Sequence, residues 1–436
     1  MAMARVASLL GALVVGCALL AGTPAAIPTT GRTAATGSDL HAALRAATRN
    51  VHVMVLEDTC GGDCQADMAA RLTASGCDQV RLFPSLRMAS ARCAARGGGG
   101  GAFGAAEGGS GADLSHLPGV QSTTPDAVVT TRPPYGEFAG TASTPDGRAA
   151  AFRRAPVPWG VDRVNQEALP LDGNANTTCY PSRGAGVTVY VVDSGVATSH
   201  AQFGGRASAV VAPGSDFTSP DDEDGHGSHV AGTVAGATTG VAPAATIVGV
   251  RCLDANGGGR VVDLISAIEY VMAAKAAKRG AKVVLNASLG ASGRDTSLHE
   301  AANRAAKAGV IFVVAAGNEP VSACWSDPAR AAGTISVAAA TPGDRLASFS
   351  ARGTKCVAVS APGVDVLSVD ASTRNGLIAF SGTSMAAPHV AGLAALVMAE
   401  DPAGGDLGRD EVLRRITRDA PIVARYPMAW ANPSCA

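Results

Sequence analysis

The sequence predicts an α/β protein with an open, doubly wound and mostly parallel sheet, preceded by a small α+β domain. Four runs after residue 159 are apolar without alternation, which is typical of strands covered on both faces. They are VTVYVVD from Val187, TIVGVRCL from Thr246, KVVLNASL from Lys282 and VIFVVAAG from Val310. Stretches with helical spacing separate these runs, so strand and helix alternate as in a parallel sheet.

The helices that accompany this sheet are predicted over residues 226–235, 261–278 and 296–308. Ligands of open α/β sheets bind beyond the carboxyl ends of the strands. Functional side chains are therefore expected where the apolar runs end.

The small domain is predicted over residues 51–131. Residues 51–56 form a short apolar strand, 64–75 have helical spacing, and 77–93 alternate enough for further strands. A glycine-rich insertion at 97–111 predicts a flexible loop inside this domain.

Three other segments carry no packed core. An apolar run followed by small residues predicts an export signal over residues 1–26. Residues 27–50 are rich in Ala, Thr and Gly, which predicts disorder. Residues 132–155 form a linker rich in Pro, Gly, Ala and Arg that contains Arg153 and Arg154, and such linkers are open to cleavage.

Charge and cysteine content narrow the class of protein. The formal net charge of −1 provides no pull toward nucleic acid, and after the N-terminal run nothing is long and apolar enough to span a membrane. Ten cysteines beside an export signal predict disulfides and a secreted, extracellular protein. The late cysteines are odd in number, so at least one thiol is unpaired, and Cys252 inside an apolar run is the candidate.

Four polar residues stand out after residue 159. Asp193 ends a predicted strand, His226 lies in DGHGSHVAGTVAG, Asn318 follows VIFVVAAG, and Ser384 begins an Ala-rich helix in SGTSMAAPHVAG. Each has an ordinary alternative: the carboxylate, amide and hydroxyl are typical caps, and His226 with His229 is a weak metal pair. The alternative to these ordinary roles is that the four residues carry out nucleophilic acyl transfer and that His229 is a structural residue.

The order Asp, His, Ser is that of subtilisin. The segments VVDSG, GHGSHVAGT, AAGN and SGTSMAAPHVAG resemble the signature blocks of the subtilase family of serine proteases, and PWGVDRV and SFSARGTKCVAVSAPG are most similar to its proteinase K and aqualysin branch. The resemblance covers residues 156–398 and implies a subtilisin-like catalytic domain over 156–436. The early region resembles the inhibitory propeptide of that branch, which implies a ferredoxin-like propeptide domain over 51–131.

The resemblance implies a role for each of the four polar residues. Ser384 Oγ attacks the scissile carbonyl, His226 takes and returns the proton, and Asp193 orients the imidazole. Asn318 and the Ser384 backbone N–H stabilise the oxyanion. A protease with a propeptide implies protein and peptide substrates, inhibition by its own propeptide, self-cleavage between Thr131 and Arg154, and a monomer.

The resemblance also implies a substrate-binding groove. One edge pairs with an extended peptide, the walls of the primary pocket are small and apolar, and an acidic residue stands at the pocket rim. These positions are Gly257, Gly258 and Gly259; Ser288, Leu289, Gly290, Ala316 and Gly317; and Glu319. Broad preference for apolar or aromatic residues follows, with Lys tolerated through Glu319.

Further resemblances concern stability. Cys324 and Cys356 match a bonded pair of the aqualysin branch, and Cys179 with Cys435 is a weaker second pair.

No cofactor is required for the chemistry. One loop resembles a structural calcium site of that branch, although a merely polar surface loop explains it equally well; its residues are Asp162, Asn165, Gln166, Asp172 and Asn174.

Three other functions compete with that of a subtilase. A catalytically silent subtilase-fold binding protein needs none of the four polar residues. An α/β-hydrolase esterase needs Ser before Asp before His and a Gly-x-Ser-x-Gly elbow, whereas Ser384 lies in Gly-Thr-Ser-Met-Ala. A processing enzyme selective for paired basic residues is disfavoured, because no acidic pocket residues for them are evident.

Overall fold

The computed structural model describes residues 50–93, 114–115, 117–131, 157–175, 180–291, 293–401 and 407–431. The strands are β1 Val51–Leu56, β2 Cys77–Phe83, β3 Met88–Cys93, β4 Val120–Pro125, β5 Val128–Thr130, β6 Val187–Asp193, β7 Ala207–Val211, β8 Thr246–Arg251, β9 Gly258–Arg260, β10 Lys282–Ala287, β11 Gly290–Ala291, β12 Ile311–Ala315, β13 Thr334–Ala340, β14 Val359–Pro362, β15 Val366–Val369, β16 Leu377–Phe380, β17 Ile422–Val423 and β18 Tyr426–Pro427. The α-helices are α1 Gly62–Ala74, α2 Trp159–Val164, α3 His226–Ala235, α4 Val261–Ala277, α5 Thr296–Lys307, α6 Thr383–Ala399 and α7 Arg409–Ile416.

The main sheet has seven strands in the order β14-β13-β12-β10-β6-β8-β7, and every neighbouring pair is parallel. This confirms the doubly wound, mostly parallel fold. The four predicted apolar strands are its members β6, β8, β10 and β12. Their side chains are buried on both faces, which explains why the runs show no alternation.

Helix α6 runs through the centre of the molecule. Every residue from Thr383 to Met398 is buried, and Ala or Gly occupies seven of the 17 positions of the helix. Small side chains allow close approach to the neighbouring layers: a Cβ on Gly392 would lie 2.6 Å from Val241 Cβ. The helix therefore delivers its first residues rigidly to the carboxyl edge of the sheet.

The N-terminal part of the described chain forms a second, small sheet in the order β2-β3-β1-β4, with all pairs antiparallel. This is the strand order of a ferredoxin-like domain, and α1 packs on one face of it. Disulfides join Cys60 to Cys64 and Cys77 to Cys93. We call β1–β4 with α1 the small sheet unit.

The other face of the small sheet packs on helices α4 and α5. Val53 and Val55 of β1 belong to the same buried cluster as Leu264 and Ile268 of α4 and Leu298 of α5. The strand that follows, β5, leaves the small sheet and inserts between β9 and β11 as the centre of a three-stranded antiparallel sheet. We call β5 the docking strand.

Among the described residues, no helix has the length and apolar character needed to cross a membrane.

Candidate active site

Asp193 is the last residue of β6 and is fully buried. Its Oδ1 accepts hydrogen bonds from the Ser194 backbone N–H and from His226 Nδ1, both at 2.8 Å. A buried carboxylate with this bond fixes the imidazole tautomer and leaves Nε2 for a reacting group.

His226 is the first residue of α3. Asp222 holds the turn before it, because one carboxylate oxygen accepts from Ser194 Oγ and Gly225 N and the other from Ser228 N, each at 2.8 Å. Burial by itself lowers the pKa of His226. The Asp193 carboxylate and its hydrogen bond, with Asp224 and Asp222 farther away, outweigh burial and raise that pKa.

His229, one turn further along α3, has a different environment. Its Nε2 lies 2.9 Å from Val366 O and 3.2 Å from Ile378 O, and its ring stacks on Phe380. Burial lowers the pKa of His229 to about 3. This side chain is a neutral part of the core, in agreement with the structural role predicted for it.

Ser384 is the second residue of α6 and is buried. Its hydroxyl donates to Ser288 O at 3.0 Å, and Ser288 Oγ donates back to Ser384 O at 2.8 Å. Asn286 Nδ2 donates to Ser288 Oγ at 3.0 Å. The hydroxyl is therefore engaged with the groove wall while the docking strand is in place.

Asn318 follows β12 and is oriented by Thr383. Its Oδ1 accepts from the Thr383 N–H and the Thr383 hydroxyl, both at 2.8 Å, while Thr383 Oγ1 accepts from Gly317 N at 3.1 Å. Because Oδ1 is held by a backbone donor, the orientation of the amide is determined and Nδ2 remains a donor. Sequence reasoning missed Thr383, although its place beside Ser384 is a usable signal.

A cavity of about 410 Å³ lies beside Ser384 and Asn318. Every residue predicted for the primary pocket and its rim lines it, namely Ser288, Leu289, Gly290, Ala316, Gly317 and Glu319. Glu319 is exposed at this cavity. The structure thus brings these positions together around the serine.

The three glycines predicted to pair with a substrate lie at β9 and the turn before it. Gly259 pairs with Val129 and Gly258 with Thr130 of the docking strand, and Thr131 N donates to Gly257 O at 3.0 Å. On the other side, Gly290 pairs with Thr130. An extended segment of this chain thus occupies the groove in a substrate-like manner.

Cys324 and Cys356 form a disulfide with a Cα–Cα distance of 5.4 Å, and the loop that it closes carries cavity-lining residues. Cys252 is a buried free thiol, as expected. The predicted Cys179–Cys435 pair lies outside the described residues.

The predicted calcium residues form one compact loop. Gly173 N donates to Asp162 Oδ2 at 2.9 Å, Asp172 N to Gln166 Oε1 at 3.1 Å, and Asn165 Nδ2 to Asn174 O at 3.1 Å. Asp162 Oδ1 is buried without a hydrogen-bond partner among the described residues. Burial, followed by Asp172 nearby, raises the pKa of Asp162.

Two acidic residues near the site were also missed. Asp222 holds the turn before α3, and Asp224 Oδ1 accepts from His226 N at 3.2 Å. The signal was the run DDED immediately before Gly225 and His226, because carboxylates at such a place commonly cap a helix.

Comparisons with known proteins agree with this geometry. The sequence profile of the subtilase family (peptidase S8) matches residues 184–424, more than half of the chain. The chain belongs to the subtilase family, and its main sheet has the subtilisin-like fold.

Individual relatives were found as well. An extracellular serine proteinase of Thermus sp. (strain Rt41A) is 42% identical over 258 residues, which are 58% of this chain and 60% of that protein. Alkaline serine exoprotease A of Vibrio alginolyticus is 42% identical over 247 residues, 56% of this chain and 43% of that protein. The chain thus spans about half the length of these curated relatives. The crystal structure of a cold adapted subtilisin-like serine proteinase superposes with a TM-score of 0.57 and 36% identity, covering 64% of this chain and 99% of that one.

Proposed function

We propose that the protein is a secreted serine endopeptidase that hydrolyses peptide bonds through an acyl-enzyme. One observation carries the proposal: a buried Asp193 holds His226 Nδ1 at 2.8 Å at the carboxyl edge of the sheet, where Ser384 and Asn318 face one cavity. A binding protein of the same fold has no need for this arrangement.

The acyl-enzyme forms by addition of Ser384 to the carbonyl followed by elimination of the amine. Because Asp193 occupies Nδ1, the free Nε2 of His226 accepts the proton of Ser384 Oγ once this hydroxyl turns away from Ser288 O. A bond forms between Oγ and the scissile carbonyl carbon, the peptide C–N bond breaks, and His226 returns the proton to the leaving amine. Water then hydrolyses the ester by the same groups.

The negative charge that develops on the carbonyl oxygen needs fixed donors. The Asn318 amide is held by Thr383, and the Ser384 N–H lies in the first turn of α6, where the backbone donors are directed outward. Donors that are already oriented cost no reorganisation when the charge appears.

The cavity supports broad preference for apolar or aromatic residues before the scissile bond. Its walls include Ala316, Gly317 and Ala323, whose small side chains leave room for a large apolar group. Burial of such a group provides binding energy in proportion to its apolar area.

The docking strand supports maturation by self-cleavage. It pairs with β9 and β11 and lies where a substrate strand would lie, so residues 51–131 would act as an inhibitor until they leave. The bond cut in this maturation falls within 131–154, a range whose residues after Thr131 lie outside those described.

The loop of residues 162–174 supports a structural calcium ion. The buried Asp162 Oδ1 that has no described partner, with Asp172 and the amide oxygens, fits a hard cation that prefers oxygen ligands. Such an ion would stabilise the loop and takes no part in the chemistry. A midpoint of thermal unfolding that stays unchanged on adding EGTA would contradict this site.

Digestion of a denatured protein substrate tests the proposed function. Wild type should digest it, and both a serine-directed covalent inhibitor and Ser384→Ala should abolish digestion. The matched control is Ser381→Ala, whose hydroxyl accepts from Asp365 N outside the cavity and which should stay active. A folded wild type that digests nothing would favour the silent binding protein instead.

A further inference from the structure

Helix α6 contains a proline, Pro388, four residues after Ser384. In a regular α-helix the carbonyl of one residue accepts from the backbone N–H four residues later, and proline has no such N–H. The proline ring also crowds the carbonyl four residues before it. The carbonyl that loses its helical donor is therefore that of the residue that carries the proposed nucleophile.

A replacement donor comes from the end of β10. Ser288 Oγ donates to Ser384 O at 2.8 Å, and Asn286 Nδ2 donates to Ser288 Oγ at 3.0 Å. Asn286 and Ser288 are two residues apart, so both side chains lie on one face of this extended segment. Val284 lies on the same face and packs in one buried cluster with Met385 of α6. The segment thus presents the amide and the hydroxyl to the first turn of α6.

The orientation of the Asn286 amide decides where the proton of the Ser288 hydroxyl goes. A serine hydroxyl has one proton and donates in one direction at a time. With Nδ2 directed at Ser288 Oγ, the hydroxyl accepts from the amide and donates to Ser384 O. If the amide were turned over, its Oδ1 would take this proton and Ser384 O would lose its donor.

Asn286 is an unusual residue for its place in the main sheet. Residues 283–287 are buried, and Asn286 is the polar one among them, paired with Val191 of β6 and Val313 of β12. Its Oδ1 has no hydrogen-bond partner in the described part of the chain. A buried acceptor without a partner lowers stability, and an apolar side chain would avoid that loss. The amide therefore serves something other than the stability of the sheet.

We propose that Asn286 is a positioning residue for the nucleophile, because through the Ser288 hydroxyl it holds the backbone carbonyl of Ser384. This inference rests on the protease function proposed above. Ser384 contributes both the attacking Oγ and an N–H that stabilises the oxyanion, so holding its backbone fixes two reacting groups at once. Asn286 is fully buried and does not line the cavity, so it acts on the turnover of bound peptide rather than on its binding.

Asn286→Leu keeps the branched shape of the side chain and removes both polar atoms. In processed enzyme, with active sites titrated by a serine-directed covalent inhibitor, kcat on a peptide should fall about ten- to hundredfold, as for a small misplacement of a reacting group. KM should change by less than about twofold, because the groove that binds the peptide is unaltered. The midpoint of thermal unfolding should stay the same or rise, because the unpaired acceptor is gone.

Two further variants separate positioning from a general effect on the fold. Ser288→Ala removes the hydroxyl and keeps the amide, so it should also lower kcat, and the double variant should be no worse than Ser288→Ala. Ser288→Ala makes the same test should Asn286→Leu not fold. The matched control is Ser336→Ala, which removes a buried hydroxyl without a described partner from β13 of the same sheet and should leave kcat unchanged.

Several results would overturn the positioning role. They are a kcat for Asn286→Leu within about twofold of wild type, additive losses in the double variant, and an equal loss of kcat in Ser336→Ala. A lower unfolding midpoint with kcat and KM impaired alike would assign the amide to the fold instead. If wild type and Ser384→Ala are equally inactive toward peptides, the protease function itself fails.

Discussion

The small sheet unit and its docking strand contact the rest of the molecule by opposite means. In the groove, the docking strand is held by backbone pairs with Gly258, Gly259 and Gly290, and only Val129 of its three residues is fully buried. Backbone pairing accepts almost any sequence, which is consistent with the broad preference proposed above.

At helices α4 and α5, charged side chains bind one particular turn. Glu269 accepts from Ser85 N and Leu86 N, both at 2.9 Å, through its two oxygens. Arg304 donates to Leu86 O at 2.6 Å and to Leu56 O at 3.1 Å. These side chains bind particular backbone groups of the small sheet unit, whereas the groove binds the docking strand through backbone pairs that do not depend on its side chains.

The largest expected effect concerns cleavage of the segment that the groove holds. Ser384→Ala should accumulate as one polypeptide after removal of any export signal, whereas wild type yields two fragments, because the loss of the nucleophile reduces the rate at least about 10⁴-fold. Electrophoresis and N-terminal sequencing of both proteins measure this. Processing of the variant at the same bond in a purified system would assign the cut to another protease.

The next largest effect concerns Asp126, which lies between β4 of the small sheet unit and the docking strand. Its Oδ1 accepts from Val262 N in the first turn of α4 at 2.9 Å, and burial raises the pKa of Asp126 to about 7 from an ordinary 3.8. Docking then takes up a proton. The affinity of the small sheet unit for the rest of the molecule is therefore greatest below the ordinary pKa of Asp126. This affinity falls as pH rises from about 4 through about 7, by up to tenfold per pH unit.

The measurement begins with cleaved protein whose Ser384 has been blocked covalently. Size-exclusion chromatography then monitors the dissociation of the two fragments as a function of pH. Asp126→Asn cannot ionise and should make the dissociation constant nearly flat over the same pH range. Equal pH dependence in the variant and in wild type would show that another group is responsible.

Glu269→Gln tests the specific contact. Loss of the charge and of one acceptor should weaken retention of the cleaved small sheet unit about tenfold, as for a hydrogen bond to a charged group. The onset of activity after cleavage should come earlier, while kcat/KM of the released enzyme stays unchanged. Glu300→Gln on α5 is the control, and a similar acceleration in it would count against the contact.

The smallest effect concerns the pocket rim. Glu319 is exposed beside the cavity, so an ion pair with a substrate Lys contributes about 0–1 kcal/mol. Glu319→Gln should lower the ratio of kcat/KM for Lys over Phe at the residue before the scissile bond by up to about fivefold. An unchanged ratio rules out a role for this carboxylate.

Local pattern was sufficient for much of the fold. The predicted helix over residues 226–235 coincides with α3, and the predictions over 261–278 and 296–308 differ from α4 and α5 by one residue at their ends. Helix α5 buries one face, so its apolar residues recur with helical spacing. Helix α3 and the first half of α4 are buried all round and were predictable as stretches of small and apolar residues between the strands. Strands β13 and β14, by contrast, were not singled out, although both extend the main sheet.

The sequence by itself determined the fold class, since the apolar strands are contiguous runs, and it determined the residue types of the candidate site, since VVDSG, GHGSHVAGT and SGTSMAAPHVAG resemble the signature blocks of the subtilase family. Only the tertiary structure decided which groups meet. Asp224 lies over Gly257, Glu269 binds the turn at Leu86, and Thr383 orients Asn318, although each pair is at least 33 residues apart in sequence. Such contacts depend on how strands and helices pack, and no local pattern encodes a contact between residues that are distant in the chain.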